Sequence, residues 1–234
     1  MDATWMTVHV LALRLDPAWR RLPDQARRQD AEAFLAAAEA AARRVHTFTY
    51  SMIGLRADAD VLLWRLAPSV EAAEETAASL LQAGLGRFLT VAHAMVGLVR
   101  PSVYVRKPTL QEQAMFAGTR DAYLIVYPFV KSAEWYLTPR EDRQRMMNEH
   151  MRVGHQFPMV RQLLAYSFGL DDQEFIVAYE TNDLQAFQDL VQALRATEGR
   201  KYTVRDTPLL LGVHRPLTEI TALLGAPAGA AVRP

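Results

Sequence analysis

The 234-residue chain is half hydrophobic and 22% charged, and its 26 basic and 26 acidic residues leave a formal net charge of +0. A neutral chain lacks the basic surface on which general nucleic-acid binding rests, although a local cationic pocket for a small anion is compatible with it. With no cysteine in the chain, disulfides, thiolate metal sites and cysteine nucleophiles are excluded.

The opening segment, MDATWMTVHVLALRL, carries Asp2 and lacks the basic, apolar and cleavage regions of a signal peptide. No apolar run approaches the roughly 20 residues of a membrane span, and the expectation is a soluble, cytoplasmic protein. A first strand in WMTVHVLAL precedes an Ala-rich helix from Arg27 to Arg44. Around Tyr50 the chain reads YSMIGLRADADVLLWRLA, a strand, an acidic turn and a second strand. Ser69 suits the N-cap of a helix through Leu81, and Gly84 and Gly86 stop it. A strand in TVAHAMVGLV then leads to a junction between Pro101 and Thr119.

The second half repeats this plan. Strand AYLIVYPFV is followed by Thr138-Pro139-Arg140-Glu141, read as a capping box with proline at the first helical position, opening a helix to about Gly154. Around Tyr166 the chain reads YSFGLDDQEFIVAYET, again an aromatic-Ser pair ahead of Gly-Leu, an acidic turn and a strand. Asp183 caps LQAFQDLVQALRATEG, where Leu184, Phe187, Leu190, Val191 and Leu194 recur at 3.6-residue spacing. Strand TPLLLGV closes the half, and an Ala/Gly/Pro-rich segment from Leu224 reads as a loose tail. Each half is then β-α-β-β-α-β, the ferredoxin-like unit. The expected fold is α+β, two ferredoxin-like halves (residues 1–110 and 119–223, with the tail at 224–234) forming a dimeric α/β barrel-like single chain.

The chemistry concentrates in the second half. Period-two alternation puts Tyr127, Phe129 and Lys131 on one strand face, and Pro128 marks that strand as an edge or a bulge. A polar-tipped tyrosine and a snorkelling lysine at a sheet rim form the plain structural alternative. His150 lies on the next helix with Met146 and Met147 one turn before it, a setting that suits a haem iron's axial imidazole as well as a core histidine. His155, past Gly154, competes with it. His9, His46, His93 and His214 show no metal-binding spacing.

The run Y-P-x-x-K, then W-Y, a helix ending E-H, and V-R-Q followed by S-F-G-L-D-D resembles the C-terminal half of the chlorite dismutase-like superfamily, nearest to its coproheme decarboxylases. The resemblance extends from about Tyr123 to Pro208. It implies His150 as iron ligand, Glu198 as the carboxylate holding that histidine's second nitrogen, Tyr127 as the radical-forming residue that abstracts hydrogen from a propionate, Lys131 beside the propionates, and Trp135 in the cofactor site. Gln162 takes the distal place where chlorite dismutases carry arginine; Arg161 would face elsewhere. Arg106, Lys107 and Arg205 stay unassigned propionate candidates. The implied activity is oxidative decarboxylation of iron-coproporphyrin III to haem b by hydrogen peroxide, in a homopentameric ring. Chlorite dismutation and a non-enzymatic haem or small-molecule binder are the competing readings.

Overall fold

A computed structural model describes residues 6–100 and 119–228. The junction with Arg106 and Lys107 lies outside these residues. The chain divides into two compact units, Met1–Leu98 together with Leu210–Pro234, and Val99–Leu209.

The first unit runs β1 (Met6–Leu15), α1 (Asp24–Ala42), β2 (His46–Ser51), β3 (Val61–Ala67), α2 (Val70–Gln82) and β4 (Leu89–Val99). Its strands lie in the order β4-β1-β3-β2, the ferredoxin-like arrangement read from the sequence. Leu11, Leu13 and Leu15 of β1 share a core with Trp19, Phe34, Leu63 and Leu80, as alternation along the strand requires. Ser69 caps α2, its side chain accepting the Ala72 N–H at 3.2 Å. Gly86 does more than stop the helix: a Cβ there would lie 1.8 Å from the Leu80 carbonyl oxygen.

The same face of β3 also buries a cation. Arg65 is fully buried, and its guanidinium reaches His9 Nδ1 at 2.8 Å, the Ala73 carbonyl at 3.0 Å and the Thr76 hydroxyl. His9 and Arg65 are cross-strand partners. Burial, reinforced by the Arg65 charge, lowers the His9 pKa to about 4, so the imidazole is neutral and available as an acceptor.

The second unit runs β5 (Tyr123–Lys131), α3 (Ala133–Leu137), α4 (Arg140–Gly154), β6 (Arg161–Tyr166), β7 (Phe175–Thr181), α5 (Leu184–Arg195) and β8 (Thr203–Arg205). Antiparallel pairings place its strands in the order β6-β7-β5-β8. The repeat is visible in the backbone: Gly54 and Gly169 take φ of 73° and 71°, and Leu55 and Leu170 each donate to the carbonyl three residues earlier. Both turns use the left-handed conformation that glycine adopts without a Cβ penalty.

TPLLLGV forms a strand, as expected. The short β8 pairs β5 at Val130 and Lys131, while β9 (Leu210–His214) pairs β2 through Tyr50–His214 and Ser51–Val213. Gly212 makes that pairing possible, because a Cβ would meet the Tyr50 Cβ at 2.6 Å. Three expectations are corrected. The segment from Leu224 is anchored at its start. α6 (Leu217–Leu224) contributes Ile220 and Leu224 to the first unit's core, joined by Ala226, and the Leu224 carbonyl accepts from Arg20 Nε at 3.0 Å. The capping box at α4 does not form: Pro139 is the N-cap and the Thr138 hydroxyl donates back to the Glu134 carbonyl at 2.7 Å. Pro128 sits in register opposite Ile176, and the irregularity falls between Val130 and Lys131.

The buried His9 gives acid sensitivity a sign. Its folded-state pKa lies below the unfolded value, so the unfolded chain takes up the proton first as pH falls. The contribution is fully present above pH 6.5 and is lost on the way to pH 4, by about 3 kcal/mol for a shift of this size. His9→Asn, which keeps an acceptor for Arg65, should give a shallower loss of urea-unfolding free energy than the parent over that interval.

Candidate functional site

Register assigns the two faces of the β5–β7–β6 sheet. Tyr127 stands opposite Val177 and Phe129 opposite Phe175. Gln162, Leu164 and Tyr166 stand opposite Tyr179, Val177 and Phe175. Directly paired residues project from the same side, so these side chains share one face. Leu124, Val126, Ile176 and Ala178 occupy the other and are wholly buried. The first face is left partly open, with Leu164 41% exposed and Tyr127, Phe129, Val177 and Gln162 half-buried. The result is an apolar, aromatic surface with one amide.

Tyr127 packs on Tyr179 with ring centroids 6.2 Å apart and planes 29° from parallel. Burial foremost, then the neighbouring Tyr179, holds the Tyr127 phenol well above its ordinary pKa. Four residues on, Lys131 Nζ donates to the Gly199 carbonyl at 2.7 Å and lies 4.5 Å from the centre of the Trp135 ring. Trp135 is itself buried on α3 and packs on Tyr202 at 5.5 Å. Burial, helped by the Arg200 charge, brings the Lys131 amine down to about 8. Its ammonium has a carbonyl and ring faces as partners and forms no ion pair among the described residues. Trp135 is thus the floor on which Lys131 rests.

His150 lies near the end of α4, close enough to Lys131 for that charge to act on it. Burial first, then Lys131, lowers the imidazole to about 4, so it is neutral at pH 7. No described residue hydrogen-bonds to the ring. The expected Glu198 contact is not formed. Glu198 opens the short turn Glu198–Tyr202 and its carboxylate accepts from Arg145 at 2.6 Å. Glu149, adjacent to His150, accepts the Glu198 backbone N–H at 3.0 Å, tying α4 to that turn. His155 is the exposed C-cap of α4.

Gln162 and Arg161 point to opposite sides, as expected. Arg161 stands opposite Glu180, reaching Asp121 at 2.9 Å and Glu180 at 3.1 Å. Arg120 also reaches the buried Glu180 carboxylate, at 3.3 Å. Arg205 is exposed on β8. Sequence reasoning missed Tyr179 and the pair Arg195 and Arg200, both 2.9 Å from Asp206. The alternation Phe175–Val177–Tyr179 signals a shared face, but only the β5–β7 pairing brings Tyr179 to Tyr127.

The family model for chlorite dismutase matches residues 24–215. The chain belongs to the chlorite dismutase family. This is a haem-binding family. A coproheme decarboxylase of Mycolicibacterium smegmatis is 37% identical over 177 residues, 75% of each chain. Among solved structures, a variant of the chlorite dismutase of Candidatus Nitrospira defluvii superposes with a TM-score of 0.86 at 27% identity, covering 95% of this chain and 96% of that one. The complex of the Nitrospira enzyme with imidazole gives 0.84 at 26% identity and the same coverage.

The residues present fit a haem-type group. Among the described residues no cluster of three or more His, Asp or Glu suits a bare metal ion, whereas His150 is a lone neutral imidazole. A neutral imidazole with no competing hydrogen bond is a suitable axial ligand for an iron whose equatorial donors come from a macrocycle. The half-open aromatic face suits the flat apolar ring, and Lys131 offers an unpaired cation to a carboxylate.

Arg161 and Gln162, adjacent in sequence, should respond very differently to substitution. Arg161→Met leaves a buried carboxylate with one guanidinium fewer and should cost about 2–4 kcal/mol in urea unfolding. Gln162→Ala, on the open face, should stay within about 0.5 kcal/mol of the parent.

Proposed function

We propose that this chain converts iron-coproporphyrin III to haem b by oxidative decarboxylation of two propionates, with hydrogen peroxide as oxidant. The observation carrying this reading is that Tyr127 and Gln162 share one half-open sheet face, with Lys131 on the same strand as Tyr127 and a neutral His150 within reach of the Lys131 charge. The 37% identity to a coproheme decarboxylase supports it.

Each step balances with one peroxide per propionate: a carboxyl leaves as carbon dioxide, the side chain becomes vinyl, and two waters form. The porphyrin iron, once bound, supplies the activation of peroxide; the protein's part is binding, orientation and proton control. His150 holds the iron through its neutral nitrogen. Tyr127, protonated at neutral pH, relays an oxidising equivalent and takes hydrogen from the propionate carbon next to the ring system. Lys131, set on Trp135, anchors a propionate carboxylate. Gln162, the one amide on the open face, would be a neutral donor for peroxide. Glu198, released from Arg145, is the carboxylate for the second nitrogen of His150. The proposed assembly is a homopentameric ring, five copies of the 26.3-kDa chain.

The strand residues of the open face include no arginine, and Arg161 is held on the sealed face by Glu180. That separates this site from one built to steer chlorite.

Titration of the protein with iron-coproporphyrin III should produce a Soret shift that His150→Ala abolishes. Peroxide should then convert the bound porphyrin to haem b, followed by chromatography, and Tyr127→Phe should slow this at least about 100-fold. Wild-type rates in Tyr127→Phe would sink the decarboxylase reading. Oxygen evolution from chlorite well above that of free haem would replace it with chlorite dismutation.

A further inference from the structure

The β5–β7 register ends at Phe129 and Phe175. Beyond it, the backbone N–H of Lys131 turns to a side chain and donates to Glu174 Oε2 at 2.7 Å. The same oxygen accepts the Tyr136 hydroxyl at 2.6 Å. Tyr136 stands on α3 next to Trp135, the ring on which the Lys131 ammonium rests at 4.5 Å. One carboxylate oxygen thus ties the root of the lysine side chain to the short helix that carries its platform. A helix of five residues is too short to hold itself in place, so such a tether matters to where Trp135 lies.

The first unit carries the same arrangement without the lysine. The β1–β3 register ends at Leu13 and Val61, and the Leu15 N–H donates to the Asp60 carboxylate at 2.8 Å. Asp60 and Glu174 each precede the third strand of their unit and close the repeated turn, their carbonyls accepting from Met52 and Ser167 at 2.8 Å. Leu15 belongs to the core, so Asp60 ends a structural strand. The strand end that Glu174 holds carries the ammonium.

We propose that Glu174 is a positioning residue for Lys131, binding the end of β5 to α3 so that the ammonium stays on the Trp135 ring, where it anchors a propionate carboxylate. The consequence for ligand binding rests on the haem reading, whereas the contact is a property of the ligand-free chain. Glu174 also acts on Lys131 as a charge, opposing the burial and the Arg200 charge that lower the amine. Position and charge pull porphyrin binding in opposite directions, because a carboxylate beside the anchor repels a propionate. Two uncharged replacements separate them: Glu174→Gln keeps an oxygen acceptor and Glu174→Ala does not.

The first measurement is amide hydrogen exchange at Lys131 in ligand-free protein, followed by NMR. Exchange should be about 10-fold faster in Glu174→Ala than in Glu174→Gln, the size of one lost hydrogen bond. Equal rates overturn the proposal. The second is a Soret titration with iron-coproporphyrin III at about pH 6, where the Lys131 amine, brought down to about 8, is charged and His150, lowered to about 4, is neutral. Glu174→Ala should bind about 10-fold more weakly than Glu174→Gln. In a Lys131→Ala background the two should bind alike, because Glu174 then has no anchor to position. Equal affinities with Lys131 present, or a difference that survives its removal, overturn the proposal. A parent that binds no iron-coproporphyrin III defeats the haem reading and the anchoring role with it, while the exchange rates still decide the contact.

Discussion

The site depends on the unequal burial of the two faces of the β5–β7–β6 sheet. Alternation sends Leu124, Val126, Ile176 and Ala178 to a face with no solvent exposure, where each buried aliphatic side chain contributes on the order of 1.5–3 kcal/mol. That sealed face fixes the register. A one-residue slip of β6 would carry Gln162 into the interior and turn Arg161 outward. The open face is therefore held in place by residues that never face it.

Charge reinforces this. Glu180 is buried among apolar neighbours, an expensive place for a carboxylate, and Arg120 and Arg161 meet it there. Glu180 without them would be a buried carboxylate short of its cations. The network thus discriminates against any register that separates β6 from β7 at this point. Arg65 plays a comparable part in the first unit with different chemistry. Its acceptors are a carbonyl, a hydroxyl and a neutral imidazole rather than a carboxylate, which makes that arrangement sensitive to acid through His9.

What was legible in the sequence was whatever depends on local periodicity or local chemistry. Ser69 and Asp183 cap their helices because a short side-chain oxygen next to an amphipathic segment satisfies a free N–H. Tyr127, Phe129 and Lys131 keep to one side, with Lys131 Nζ 5.3 Å from the Phe129 ring, because a strand alternates. The repeated Gly-Leu turns recur because both need a residue at positive φ. What failed was whatever depends on a choice of partner. Thr138 satisfies its hydroxyl on the preceding short helix rather than on α4. Glu198 sits near the end of the last long helix of its unit, as the resemblance requires, yet its carboxylate takes the nearer full charge of Arg145 over a neutral imidazole.

That last preference bears on how the site assembles. Imidazole bound to a metal through one nitrogen becomes a stronger donor at the other, so iron at His150 would raise the attraction of that N–H for a carboxylate. The Arg145–Glu198 pair is partly exposed on both sides, Arg145 at 60% and Glu198 at 34%, and an exposed ion pair is worth at most about 1 kcal/mol. A modest gain at the imidazole is enough to compete with it. Glu149 keeps the Glu198 backbone tied to α4 through its own hydrogen bond. On the proposed reading, His150 would offer a neutral nitrogen to the metal, and Glu198, whose present ion pair is partly exposed, would be the carboxylate for its other nitrogen.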